Sequence, residues 1–272
     1  MTEQPAAQHG ADQASEQPSL APAAAVAAFP HLAGIEMPDL AGRLPQRTTS
    51  FARRSGRLPQ RRQRLWDAHA ADLVVPVRRG PGETTVASDF RLEAAEVFGR
   101  SAPLVVEIGS GGGEALVAHA AAHPERNHLA LEVWRPGVAQ LLARVVAAGV
   151  SNVRVVEVDA AQALPVMLPS GSIDELWTFF PDPWRKARHH KRRLVQEPFA
   201  RQVAELLVPG GVWRLATDWA DYADHIAGVL AACDDVLEGG RSERFAGRVR
   251  TRFEGKGVEA GREIVDFTAR RR

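Results

Sequence analysis

Five short apolar runs, each halted by glycine, proline or an acid and separated by stretches of helical length, constrain this chain more than anything else in it. They cover residues 104–108, 129–133, 153–158, 173–180 and 212–217. A short apolar run bounded by breakers reads as a buried strand. Between the runs lie an Ala-rich segment from Glu114 to about His123 and a segment from about Pro136 to Ala148 that Gly149 is placed to end. A third, from about Val195 to Leu207, is closed by Pro209-Gly210-Gly211, a fourth covers 222–232, and residues 263–268 are again strand-like. Strand and helix thus alternate at βαβ spacing. The expected fold is α/β: a doubly wound, mostly parallel sheet with helices on both faces. Ligands of such sheets lie outside the carboxyl ends of the strands, where the strand order reverses.

The N-terminal part reads differently. Residues 1–39 are Ala, Pro and Gln with scattered acids, and are expected to form a disordered tail because they bury too little apolar surface to offset the entropy of ordering. Residues 40–66 carry eight arginines and no acid, with Gly56 and Pro59 set against a clean helix. They read as a basic arm that lies on phosphates. The catalytic domain is expected over 67–272. From Asp67 to Phe180 acids outnumber Lys and Arg fourteen to eight, so a net charge of only +1 hides basic segments that flank an acidic middle. That asymmetry suits a polyanion-binding face on a neutral core. Cys233 is the only cysteine, which excludes an intrachain disulfide and a cysteine zinc site; a small buried hydrophobe is expected there. No segment has the length of a membrane span, and residues 1–20 hold acids but no Lys or Arg, the wrong start for a secretory signal. The cytoplasm is the expected location.

The glycine loop after the first run, Gly109-Ser110-Gly111-Gly112-Gly113, lets a ligand approach the backbone closely. Its spacing lacks Gly-x-Gly-x-x-Gly, and Glu114 at the following helix start would repel a diphosphate. Glu132 closes the second run, where a carboxylate can accept both ribose hydroxyls, and Asp159 closes the third, where it can accept from an adenine amino group. A ring of Glu107, Glu114, Glu132 and Asp159 tolerates a cofactor with a sulfonium and an ammonium and no phosphate. S-adenosylmethionine fits better than NAD.

The fourth run leads into Phe179-Phe180-Pro181-Asp182-Pro183-Trp184-Arg185-Lys186, then Ala187-Arg188-His189-His190-Lys191-Arg192-Arg193. Two prolines stop strand and helix alike, so Asp182 is held just past a strand end beside an aromatic ring and a dense basic run. A carboxylate, an aromatic plane and phosphate-seeking cations in one stretch suit a nucleobase within a nucleic acid. His189 and His190 have no acid or cysteine close in sequence, so no metal site is expected.

Together these blocks resemble the bacterial tRNA (guanine-N7-)-methyltransferase family. The residues that carry the resemblance are 106–114, 129–133, 180–193, Thr217-Asp218 and Thr251-Arg252-Phe253-Glu254, within coverage from about Ser50 to Thr268. It implies a class I, Rossmann-like methyltransferase with a seven-stranded sheet and S-adenosylmethionine as cofactor. The implied reaction is methyl transfer to N7 of a guanine in the tRNA variable loop, position 46, forming 7-methylguanosine. An amino-methyltransferase on another nucleic acid or protein, which places an Asp-Pro-Pro or Asn-Pro-Pro turn after strand four, is the alternative; here the acid lies between the two prolines. Carried over residue by residue, Glu107, Gly109, Gly111, Glu132, Asp159 and Asp182 are expected to bind the cofactor, with Asp182 also catalytic. Lys186, Asp218, Thr251, Arg252, Phe253 and Glu254 are expected to bind substrate, and Arg188, His189, His190, Lys191, Arg192 and Arg193 to contact RNA. The partner is tRNA, with no membrane and no metal, and the protein is expected as a monomer or homodimer. Pro59 stands where the family has Thr, Arg252 where it has Lys and Glu197 where it has Pro.

Overall fold

In a computed structural model, residues 58–272 are described; the expected tail and the arm up to residue 57 lie outside the described residues. The apolar runs become β1 (Leu104–Ile108), β2 (Asn127–Leu131), β3 (Val153–Val156), β4 (Ile173–Phe179) and β5 (Leu207–Thr217). They pair in parallel in the order β3-β2-β1-β4-β5. β7 (Val265–Arg271) lies antiparallel between β5 and β6 (Leu237–Ser242), which completes a seven-stranded sheet of order β3-β2-β1-β4-β5-β7-β6. The order reverses between β1 and β4.

Along β1 every residue is buried, yet neighbours serve different faces because successive side chains point to opposite sides of a strand. Leu104, Val106 and Ile108 pack in the larger core with α5 (Ala160–Met167), α6 (Glu197–Leu206) and α7 (Ala220–Ala232). Val105 joins a second core with α3 (Glu114–Ala122) and α4 (Arg135–Ala148). Each fully buried Leu or Val in these cores contributes about 1.5–3 kcal/mol over its exposed state. Both faces of the sheet are therefore covered, which is why the strands read as continuous apolar runs rather than alternating ones.

Gly149 ends α4 with φ 64°, as its position in the sequence suggests. By contrast, Pro209-Gly210-Gly211 does not close a helix in isolation. α6 stops at Leu206 and these residues lie inside β5, at a register irregularity opposite Ile173 and Glu175. Pro59 does not interrupt the chain; it stands at the N-terminus of α1 (Gln60–Leu73), where its fixed φ suits a helix start. α1 therefore runs through the 66/67 position at which arm was expected to give way to domain. It packs on α4, with the Arg135 guanidinium 4.1 Å over the Trp66 ring. The remaining helices are the short α2 (Ala94–Phe98) and α8 (Arg252–Glu259). Cys233 is fully buried, as expected.

Candidate active site

The carboxyl ends of β1, β2 and β3 gather buried carboxylates. Glu107 and Glu132 are both buried, and burial pushes the Glu107 carboxyl up to about 8, with the charge of Glu132 adding to the rise and the Leu116 amide opposing it. Glu132 Oε2 accepts from the Gly111 amide and Oε1 from the Trp134 amide, each at 2.7 Å. Burial raises its pKa while those two amides pull the other way. Asp159 caps α5 by accepting from the Ala161 amide at 3.0 Å, and its own amide donates to Thr84 O at 2.8 Å. Glu114 departs from this set. It pairs with Arg144 on α4 at 2.8 Å and accepts from the Arg252 amide at 2.6 Å, which ties the glycine loop to a block 138 residues away.

Three buried polar atoms here have no hydrogen-bond partner: Glu107 Oε2, Ser110 Oγ and Glu157 Oε1. Orphaned polar atoms are rare in folded chains and call for a polar ligand. Gly109 and Gly111 have φ 70° and 53°, and a methyl group added at either would meet nothing within 4 Å, so the loop offers bare backbone to open space. Gly113 serves packing instead, because a Cβ there would sit 2.7 Å from Leu141. Carboxylate acceptors and a bare glycine loop suit the ribose and ammonium of S-adenosylmethionine; these residues fit it.

β4 ends beside this set. Phe180 still donates its amide to Ala216 O at 2.8 Å, the last rung of the ladder, and then turns to φ 51°. Trp184 has φ 45°. Left-handed backbone at two bulky residues is a strained arrangement, and it brackets Pro181-Asp182-Pro183. Asp182 is half-buried in that turn. Past it, Lys186 leads into a 3-10 helix, Ala187–Arg192. Arg188 and Lys191 are exposed, His189, His190 and Arg192 half-buried, and Arg192 lies 5.0 Å over the Trp184 ring.

Arg193 does not share that face. It is buried, donates to Pro183 O at 2.9 Å and pairs with Asp221 at the start of α7. The expected substrate block divides in the same way. Thr251 caps α8 through the Glu254 amide at 3.2 Å, while Arg252 and Phe253 are exposed, Phe253 at 69%. Glu254 is buried, with both oxygens engaged by Arg244 and Arg248. Beside Arg252, a groove of about 560 Å³ runs between Arg144, Arg250 and Glu259. Asp218, at the end of β5, pairs with Arg262 at 2.7 Å, next to Gly257 of α8.

Sequence reading passed over the orphaned Ser110 and Glu157, although the acid of Glu157 near a strand end was a usable signal. It also passed over residues 74–92, where Arg79 donates to Glu157 O and Thr84 meets Asp159. Nothing periodic marks that stretch. Among the described residues, no group of three or more His, Cys, Asp or Glu could hold a metal ion, and no helix is long and apolar enough to cross a membrane.

Strand order, glycine loop and acid-tipped strands together define a class I methyltransferase with S-adenosylmethionine as cofactor. A family profile described as "Putative methyltransferase" matches residues 101–267. The tRNA (guanine-N(7)-)-methyltransferase of Nocardioides sp. is 51% identical over 85% of this chain and 90% of that protein. The Cutibacterium acnes protein of the same name is 46% identical, over 84% and 85%. This chain belongs to that tRNA (guanine-N(7)-)-methyltransferase family. Among solved structures, a 16S rRNA (adenine(1408)-N(1))-methyltransferase from Catenulisporales acidiphilia is similar at 15% identity and a TM-score of 0.48, over 72% of this chain and 96% of that one; the fold stands on the strand order, not on this likeness.

Proposed function

We propose that the protein methylates N7 of a guanine in tRNA, at position 46 of the variable loop, and that Asp182 is the residue that presents the base. The observation that carries this reading is the turn from Phe180 to Trp184, which holds a half-buried carboxylate between two prolines beside the acid-tipped strands. When bound, S-adenosylmethionine supplies an electrophilic methyl on a sulfonium. Glu107, Glu132, Asp159 and the bare backbone of Gly109 and Gly111 hold it. Guanine N7 carries an in-plane lone pair and no proton, so the chain needs no general base and its work is positioning and electrostatics. Asp182 accepts from the N1 and amino hydrogens of the base and favours the positive charge that grows on the ring. It also borders the cofactor. Lys186, Asp218, Thr251, Arg252 and Phe253 line the approach of the substrate, with Phe253 open to stack on a base. Arg188, His189, His190, Lys191 and Arg192 track phosphates, which positions the RNA without reading its sequence.

A tRNA substrate implies work in the cytoplasm, as a monomer or homodimer that sedimentation separates. Methyl transfer from labelled S-adenosylmethionine to unmodified tRNA, followed by nucleoside analysis, tests the reading. Label in 7-methylguanosine of the variable loop is the expected result. Label on an exocyclic amine would move the protein to the amino-methyltransferases, and no label with cofactor bound would remove tRNA as substrate.

A further inference from the structure

Among the described residues two arginines are buried to 2% exposure, Arg193 and Arg248. A guanidinium out of water is costly unless its donors are taken, so what each one holds is informative. Arg193 Nε donates to Pro183 O at 2.9 Å, and Nη2 reaches Asp221 and lies 3.0 Å from His190 Nε2. Its plane sits 4.8 Å over Tyr222. Arg248 forks onto Asp266 at 2.8, 2.9 and 3.1 Å and donates to Glu254 at 2.8 Å. Its guanidinium lies 5.5 Å from the rings of both Phe179 and Phe180.

These two groups meet the strained turn at its two ends. Phe180, with φ 51°, is the first left-handed residue, and Arg248 is packed against its ring. Pro183 contributes the carbonyl immediately before Trp184, the second left-handed residue with φ 45°. Such backbone persists in bulky residues only where the surroundings over-determine it. Each arginine is anchored outside the turn: Arg193 to α7 through Asp221, Arg248 to β7 and α8 through Asp266 and Glu254.

We propose that Arg193 and Arg248 are positioning residues, a two-sided clamp that holds the Phe180–Trp184 turn in its strained form and so fixes Asp182 against the substrate. Arg193 thereby leaves the set of phosphate contacts in which its place in the basic run had put it. The clamp rests on the reading of Asp182 as the base-presenting group.

The test uses the full chain with Arg193→Lys and Arg248→Lys, which keep the charge and lose the fork. Three quantities are read: hydrogen exchange of the amides of Phe180, Asp182 and Trp184, single-turnover methyl transfer to tRNA, and tRNA affinity against salt. Exchange is expected to speed up at least about tenfold as the turn opens. Single turnover should fall about a hundredfold, the scale of an ångström's misplacement. Affinity for tRNA should stay within about twofold, and its salt slope should not change because the charge is kept. Unchanged exchange would overturn the clamp, and so would weakened tRNA affinity with single turnover intact, the mark of a fork lost from a phosphate. Should the lysine variants lose the native near-ultraviolet spectrum, Asp221→Asn loosens Arg193 from an exposed partner, and the same exchange result decides. If the unaltered protein methylates no tRNA, the functional reading fails, while the exchange measurements still judge the clamp.

Discussion

Glu107 is protonated at neutral pH, because burial and then the charge of Glu132 push its carboxyl from an ordinary 4.5 up to about 8. Between those values the folded chain binds one more proton than the unfolded chain, so this group's contribution to stability falls as pH rises across the window. Glu107→Gln should flatten that slope in urea unfolding run from pH 5 to 8.5; an unchanged slope would remove the assignment. A cationic guest reverses the preference and expels the proton. Calorimetry of S-adenosylmethionine binding near neutral pH, in two buffers of different ionisation enthalpy, should therefore show proton release that Glu107→Gln abolishes. Asp182 calls for a different readout. Asp182→Asn should cost about a hundredfold or more in single turnover while cofactor affinity holds within a few-fold, and near-normal turnover would end its role. At this scale the sequence was legible where a residue type met a strand end, as at Glu107, Glu132 and Asp159. It was not legible where burial decides. Arg192 and Arg193 are adjacent and chemically identical, yet one lies over Trp184 and the other is sealed behind Pro183.

Between α3 and β2 sits a pair of buried histidines, with His119 Nδ1 2.8 Å from His128 Nε2. Burial, then each one's neighbouring histidine, lowers His119 to about 4 and His128 to about 3. Both stay neutral in the folded chain, whereas the unfolded chain charges them below 6.5. Stability from this pair is complete above 6.5 and is lost as pH falls from there toward 4. His119→Gln should reduce the loss of stability between those limits; an acid limb identical to that of the unaltered protein would assign it to other groups. The 3-10 helix carries the electrostatic prediction. Replacing Arg188, Lys191 and Arg192 by Gln should lower the slope of log affinity for tRNA against log salt by about two to three, since each neutralised phosphate releases roughly one counterion. A slope left in place would take the RNA off this face. Elements with an apolar run or a flanking glycine were readable in advance. β6 was not, because its Leu237-Glu238-Gly239-Gly240-Arg241-Ser242 buries only one side chain and lies at the sheet edge.

For the molecule as a whole, the most consequential choice is that β7 is inserted between β5 and β6. Removing 265–272 strips an antiparallel partner from both neighbours and withdraws Asp266 from Arg248, Phe267 and Ala269 from the core. Such a truncation should lose its cooperative thermal transition, and a sharp calorimetric peak in the shortened chain would show that five parallel strands suffice. The doubly wound plan was legible because a parallel sheet covered on both faces leaves unbroken apolar runs in the sequence. The meeting of Glu114 with Arg252 was not, since it joins positions 138 apart through a backbone amide that every residue type possesses.

Trp184 bears on any effort to harden this protein against heat. Glycine adopts left-handed dihedrals without steric cost, and the indole it would replace is only half-buried. A library ranked by survival at high temperature has little reason to reject Trp184→Gly, and a design rule that relieves unfavourable dihedrals would recommend it. The carbonyl of Pro183 would then lead into a joint free to swing. Optimisation blind to turnover would drift toward a sturdier fold in which the carboxylate of Asp182 is no longer held in place.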